Sequence, residues 1–316
     1  MRPRLNGSVM FVFSDPGGAK PCLSLIEENQ LVNVMAISDR EYSFYKDFKT
    51  NVNIINCGFE QITDTFKPDL IITGTSYTSS IERQFIKIAR KKKIPCYSFV
   101  DHWTNISKRF LDEENYLILP DKIWVIDERA ELIALAEGVD RSKIVVSGNP
   151  YHDWLRQWKP DIEKSDFLNN LGLNNEKLKI LVYAPDPLTN ISGHDIYGFD
   201  ELSATTIISE LLDNYHQELK NWLFLVKCHP NQNRKKLSEV ISDRFFILPD
   251  DVDTNTTIYY ADVVMGFFSS FLIEASIMNK PVIRFLPKEV INDPIIDLNI
   301  GKIVNKNTFV ETLLKF

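Results

Sequence analysis

The chain has 316 residues, enough for two compact domains of about 150 residues each. Its hydrophobic fraction of 44% and charged fraction of 25% are those of an ordinary soluble globular protein, and they exclude a fibrous or largely disordered chain. The 36 Lys and Arg residues are outnumbered by 43 Asp and Glu, for a net charge of −7; this argues against a nucleic-acid binder, whose surface is ordinarily basic.

Seven short apolar runs in the first half read as strands: "SVMFVFSD", "VNVMAISD", "VNIINCG", "DLIITGTS", "PCYSFVD", "KIWVID" and "KIVVSGNP". Helix-length stretches such as "IERQFIKIARKKK" and "ERAELIALAEG" lie between them. Nearly continuous apolar strands with polar residues at their C-terminal ends indicate a parallel sheet buried on both faces. A polar stretch broken by Pro160 follows, and then a second series begins: "KILVYAP", "WLFLVKCHP", "RFFILP", "DVVMGF" and "PVIRF". The boundary is placed at Gly148-Asn149-Pro150. The fold class is therefore α/β, with two Rossmann-like doubly wound parallel-sheet domains, 1–150 and 151–316, expected to face a cleft. Ligands of such sheets bind beyond the carboxyl ends of the strands, so polar residues there carry the weight.

In the first domain, Asp15 ends the first strand and Gly17-Gly18 opens the next helix, where backbone can approach a ligand closely. The spacing is not G-x-G-x-x-G, so no dinucleotide site is read. Asp101 and His102 end another strand, and Asp15, Asp101 or His102 can take a proton from an acceptor hydroxyl. An aspartate in such a place also serves as a plain helix cap. The basic end of "RQFIKIARKKK" complements its helix dipole, and contact with anionic lipid or an anionic glycan is the alternative.

In the second domain, "VMGFFSSFLIEA" passes from a strand ending near Gly266 to a helix starting at Ser269-Ser270. A helix N-terminus with hydroxyls suits a phosphate. Glu274, about one turn inside, can reach a ribose hydroxyl; a simply capped helix fits the same residues. His229-Pro230 ends a second strand, where the imidazole can donate to phosphate and Lys227 can add charge. Asp186 ends the strand "KILVYAP", ahead of a long polar loop able to cover a nucleotide base.

Cys22, Cys57, Cys96 and Cys228 lie far apart without zinc spacing and read as reduced thiols of a cytosolic protein. The run "SVMFVF" behind the N-terminal arginines is too short for a signal h-region, and no stretch reaches the ~18 apolar residues of a membrane span. The expected location is cytoplasmic, with at most peripheral contact at the inner face of the membrane. No Walker A, HExxH, GxSxG or kinase signature occurs. Metal-independent chemistry without a cofactor is expected.

The "SGNP" junction, the "HP" pair and "SSFLIEASIMNKPVIRF" resemble glycosyltransferases of the GT-B fold. Ser270, Glu274-Ala275 and Lys280-Pro281-Val282 are similar to their donor-binding helix. The HP and SS pairs are also similar to those of bacterial sialyltransferases, capsule Kdo transferases and teichoic-acid glycerophosphotransferases. The resemblance implies that His229, Ser269 and Ser270 hold the phosphate of a CMP- or UDP-linked sugar and that Glu274 holds the ribose. Asp186, Lys227, Gly266, Gly17 and Gly18 complete the expected donor set. It further implies transfer, with inversion, to a glycan or lipid-linked acceptor in surface-polysaccharide assembly, of the capsule or lipopolysaccharide kind. "DEEN", Asp112 to Asn115, lacks the glycine of the sialyltransferase motif. The alternatives are an enzyme like the non-hydrolysing UDP-GlcNAc 2-epimerases and a non-catalytic nucleotide-sugar-binding protein.

Overall fold

The computed structural model describes residues 5–31, 33–173 and 176–316. The N-terminal arginines read above lie outside them. The chain divides into two compact units between Trp154 and Leu155, within the helix Pro150–Gln157.

The first unit is built on β1 (Val9–Phe13), β2 (Val34–Ser38), β3 (Val52–Ile54), β4 (Leu70–Thr73), β5 (Cys96–Val100), β6 (Lys122–Val125) and β7 (Ile144–Val146). The second carries β8 (Lys179–Ala184), β9 (Trp222–Val226), β10 (Phe245–Ile247), β11 (Val263–Gly266), β12 (Val282–Phe285) and β13 (Lys302–Val304). Every paired strand is parallel. The orders are β3-β2-β1-β4-β5-β6-β7 and β10-β9-β8-β11-β12-β13. All the strands read from the sequence are present. β13 was not among them, because it is three residues long and two of them are exposed.

Both faces of the second sheet are covered, and single strands show why their sequences are apolar throughout. On β8, Leu181 and Tyr183 enter one core with Phe224 and Phe267, while Ile180 and Val182 enter another with Leu225 and Leu272. Successive side chains of a strand point to opposite faces, so a polar residue at any of these positions would meet a core. In the first unit Met10, Val12, Ile71 and Val100 pack under Phe85 and Ile86 of the helix Ile81–Lys92.

Helix starts follow local chemistry. Asp127 accepts from the Ala130 N–H at 2.8 Å and caps Glu128–Ala136. Asp200 and Ser203 form a capping box on Glu201–Asn214. The basic end of Ile81–Lys92 is paired with acids, Lys91 with Glu60 and Lys92 with Asp64.

The position of any ligand site follows from strand order. The strand order reverses once in each sheet, between β1 and β4 in the first and between β8 and β11 in the second. At such a switch point the two following connections leave to opposite faces and open a crevice at the carboxyl ends.

Candidate functional site

The connections leaving the second switch point carry Asp186 after β8 and Phe267 to Ser270 after β11. Ser269 occupies the N-cap position of the helix Ser270–Ile277, but its side chain makes no capping bond. Its Oγ is buried and has no hydrogen-bond partner. The first-turn N–H groups of that helix have no capping side chain, and a hydroxyl without a partner sits beside them; this is the arrangement that accepts a phosphate. Glu274 lies in the second turn, as its position in the sequence required.

His229 follows β9, the neighbour of β8. Its Nδ1 accepts the Asn231 N–H at 3.0 Å. With Nδ1 used as an acceptor, the proton of the neutral ring is on Nε2, which is then a donor. Partial desolvation lowers the His229 pKa, so the ring is neutral at pH 7 and still donates. The loops around it are tied together. Asn190 donates to the Asn231 carbonyl at 3.0 Å, and the fully buried Glu201 accepts from Thr189 N–H, Thr189 Oγ1 and Gln232 Nε2.

A second buried group holds the strand-to-helix turn from behind. Arg284 of β12 is 1% exposed. It donates from Nε to the Phe267 carbonyl at 3.0 Å and from Nη2 to Asp293 Oδ1 at 2.6 Å. Its guanidinium also lies 5.5 Å from the centre of the Phe268 ring. Phe268 is thus fixed by its ring, while its N–H donates to Asp186 at 2.7 Å.

Two members of the expected donor set serve other purposes. Lys227 turns its ammonium to the carbonyls of Asp250 and Val252 at 3.3 and 2.5 Å, and burial lowers its pKa. It holds the connection that follows β10. Gly266 is enclosed in the sheet, where a Cβ would lie 2.7 Å from the Ala184 carbonyl oxygen. Its lack of a side chain permits packing between β8 and β11.

In the first unit the switch point gathers Asp15, Gly17 and Gly18 after β1 with Gly74, Thr75 and Ser76 after β4. The glycines were expected to admit a ligand; they admit the protein itself. A Cβ on Gly18 would lie 3.0 Å from Gly74 Cα, and one on Gly17 would lie 1.9 Å from Asp101 Oδ2. Asp15 is fully engaged. It accepts from Arg40 Nη1 at 2.9 Å, Tyr77 N–H at 3.1 Å and Thr78 Oγ1 at 3.0 Å. Asp101 pairs with the buried Arg109 at 3.1 Å, and Arg109 also donates to the Thr75 carbonyl and hydroxyl and stands 4.7 Å over the Tyr77 ring. Both aspartates are therefore held by cations as anchors of the loops.

His102 differs. Its ring keeps an exposed edge and its Nδ1 lies 3.0 Å from Thr104 Oγ1. Partial desolvation, aided by Arg109 and Arg129 against Asp101, lowers its pKa. Its ring is therefore mostly neutral at pH 7.

Sequence reasoning missed Glu82, Arg109 and Arg284. Glu82 is 3% exposed in the first turn of Ile81–Lys92. It accepts from the Ser14 N–H at 3.0 Å and Ser76 Oγ at 2.8 Å, joining the connections after β1 and β4. Burial pushes its pKa up to about 7 against those two donors. Arg284 carried a visible signal, a lone charge inside the apolar strand "PVIRF", which demands a buried partner.

Both sheets are Rossmann-like, and the chain has the fold of the GT-B class. A UDP-GlcNAc 2-epimerase of Neisseria meningitidis bound to UDP-GlcNAc matches with a TM-score of 0.68 at 15% identity, over 98% of this chain and 91% of that one. The S. aureus MnaA-UDP co-structure gives 0.64 at 17% identity, over 97% and 86%. At these identities the likeness shows the fold alone. The family comes from sequence: residues 102–289, over half of the chain, match the family CDP-Glycerol:Poly(glycerophosphate) glycerophosphotransferase. The chain belongs to that family. It is also 27% identical over 150 residues to a teichoic acid poly(ribitol-phosphate) polymerase of Bacillus spizizenii. That stretch is 47% of this chain and 23% of the polymerase, so the chain spans a minor part of that relative. Among the described residues no group of His, Cys, Asp or Glu is placed to hold a metal ion, and no helix is long and apolar enough to cross a membrane.

Proposed function

We propose that this protein transfers a polyol-phosphate unit from a CDP-linked donor to a hydroxyl of a growing surface polymer or its lipid-linked primer. The observation that carries the reading is the second unit's switch point. An uncapped helix N-terminus and the unpartnered Ser269 hydroxyl follow β11, and a neutral His229 with its Nε2–H available follows β9, the two strands that flank β8. Family membership supports the CDP-glycerol type of donor.

In this reading an acceptor oxygen forms a bond to the donor's outer phosphorus as the phosphoanhydride bond breaks, and CMP leaves. Charge grows on the phosphate of the leaving CMP. Fixed N–H and O–H donors stabilise that charge without reorganising. The helix N-terminus, Ser269, Ser270 and His229 supply those donors, and Glu274 is assigned to the ribose. The hydroxyl's proton needs a base that is unprotonated at pH 7, and His102, its pKa lowered by desolvation, is assigned that role. Asp15 and Asp101, engaged by Arg40 and Arg109, position the loops.

Transfer of a sugar from a nucleotide sugar would use the same phosphate site, with the C–O bond at the anomeric carbon breaking instead. Phosphorus NMR of the product separates the two, because only polyol-phosphate transfer leaves a new phosphodiester. An epimerase would act without an acceptor.

The test is CMP release from CDP-glycerol in the presence of a glycerophosphate-primed acceptor, together with donor affinity. His229→Ala should weaken donor binding by about 1–3 kcal/mol, the value of a hydrogen bond to a charged group. His102→Ala should lower turnover by about 10²–10⁴ and leave donor affinity unchanged. Absence of stabilisation by CDP-glycerol, CMP, UDP or UDP-GlcNAc would remove the nucleotide site. A ligand at 100 times its Kd adds about 2.7 kcal/mol, which calorimetry detects readily.

A further inference from the structure

The donor end of the helix Ser270–Ile277 already has an anion beside it. Asp186 is 8% exposed. Its Oδ2 accepts the Phe268 N–H at 2.7 Å, one residue ahead of the N-cap. The Ser269 N–H and hydroxyl also lie close enough to stabilise its charge, although the hydroxyl completes no hydrogen bond with it. Asp186 therefore draws on the group of donors that a phosphate would use.

The other titratable neighbours offer no compensation. From β8 comes Tyr183, whose hydroxyl is committed to Thr205. From the helix Glu201–Asn214 comes Glu201, a second carboxylate. From the helix Gly193–Tyr197 comes Tyr197, whose own pKa is raised by burial and by Asp186. No cation is paired with Asp186 among the described residues. Burial outweighs the N–H donors and sets the carboxyl at about 6 before any ligand arrives.

We propose that Asp186 takes up a proton as the donor's diphosphate reaches this helix N-terminus, so that donor binding is proton-linked. The inference rests on the donor-site reading given above. A phosphate placed at these donors is a like charge next to a buried carboxylate, and two such anions resist sharing one site unless one is neutralised. The diphosphate of a diester donor has no proton affinity near neutral pH, so Asp186 takes the proton. Once protonated, Asp186 ceases to repel the phosphate and its O–H becomes one more donor, to Ser269 Oγ or to a phosphate oxygen. The sign follows from linkage. Below the pKa of the free protein the proton is already present and affinity is independent of pH. Above about 6 each binding event must draw a proton from solvent, and affinity falls by up to about tenfold per pH unit until the pKa of the complex is passed.

The experiment is calorimetric titration of the full chain with CDP-glycerol from pH 5.5 to 8.5, in pairs of buffers with different ionisation enthalpies. The expected result is uptake of close to one proton per donor at pH 7–8 and a Kd that rises about tenfold per unit above pH 6. Asp186→Asn keeps an acceptor for the Phe268 N–H; it should bind without proton uptake, with a flat pH profile, and about tenfold or more tighter than the wild type at pH 8. His229→Ala should bind more weakly with the slope intact. A flat wild-type profile, a slope that survives in Asp186→Asn, or a slope lost in His229→Ala would each overturn the proposal while leaving the donor site standing. Failure of CDP-glycerol and UDP-GlcNAc to bind at any pH would overturn the donor site itself and this inference with it. The proton count on the wild-type protein decides the matter even if Asp186→Asn does not fold.

Discussion

Asp293→Ala should damage both the stability of the second unit and its donor site, by amounts that can be separated. Arg284 and Asp293 side chains are 2% and 4% exposed, with 2.6 Å between Nη2 and Oδ1. At an effective dielectric of 20 their attraction is about 6 kcal/mol, most of it offset by the cost of taking both charges out of water. Removing the acid leaves a guanidinium buried against Phe268 with, among the described residues, the Phe267 carbonyl as its remaining acceptor. Breaking such a pair costs about 3–5 kcal/mol. In a unit of this size that lowers the calorimetric transition by about 6–20 °C. The paired replacement Arg284→Met with Asp293→Leu removes both charges and keeps bulk, so it should recover most of the stability. It should not recover donor affinity, because nothing then holds the Phe267 carbonyl and the Phe268 ring ahead of Ser269. A shift under about 2 °C for Asp293→Ala, or a paired variant with wild-type donor affinity, would refute the reasoning.

Glu82 gives the first unit a pH-dependent stability of known sign. Its pKa is raised from 4.5 to about 7, so between those values the unfolded chain loses the proton first and stability falls as pH rises, by about 3 kcal/mol in total. Glu82→Gln should flatten that decline and stabilise the protein at pH 8 by about 2 kcal/mol, after subtracting ~1 kcal/mol for one weakened hydrogen bond; parallel denaturation profiles for the two proteins from pH 4.5 to 7 would contradict it. Gly74→Ala places a Cβ 2.7 Å from Gly18 Cα, where backbone must move; a loss of about 1–3 kcal/mol is expected in urea unfolding, and an unchanged midpoint would show that the two turns are not in contact.

The architecture was legible because its signals are local. A strand covered on both faces is apolar at nearly every position, so β1, β4, β8 and β11 could be read without knowing their neighbours. The position of Ser269 and Ser270 at a strand-to-helix turn, and of His229 at a strand end, followed from the same punctuation. What the sequence could not state is which strand lies beside which. Glu82 looks like an ordinary first-turn acid, and it becomes a buried clamp only because β1 and β4 are neighbours and both following connections reach it.

The same limit explains the roles that changed. Asp15 and Asp101 carry the residue type a base requires, yet Arg40 and Arg109 fold onto them from 25 and 8 positions away in the chain. Only that pairing makes them anchors of their loops, and no local pattern shows it. Gly17, Gly18 and Gly74 announced a close approach, and the fold decided that its partners are one another and Asp101. Asp186 is a strand-end acid in the sequence; burial beside Glu201, with the Phe268 N–H in its grasp, makes it a group that titrates near 6. Local pattern determined the elements, and distant pairing across the switch points determined their charge states and hence their chemistry. The cost of an unpaired charge or polar group inside a protein is set by tertiary neighbours that no short stretch of sequence contains.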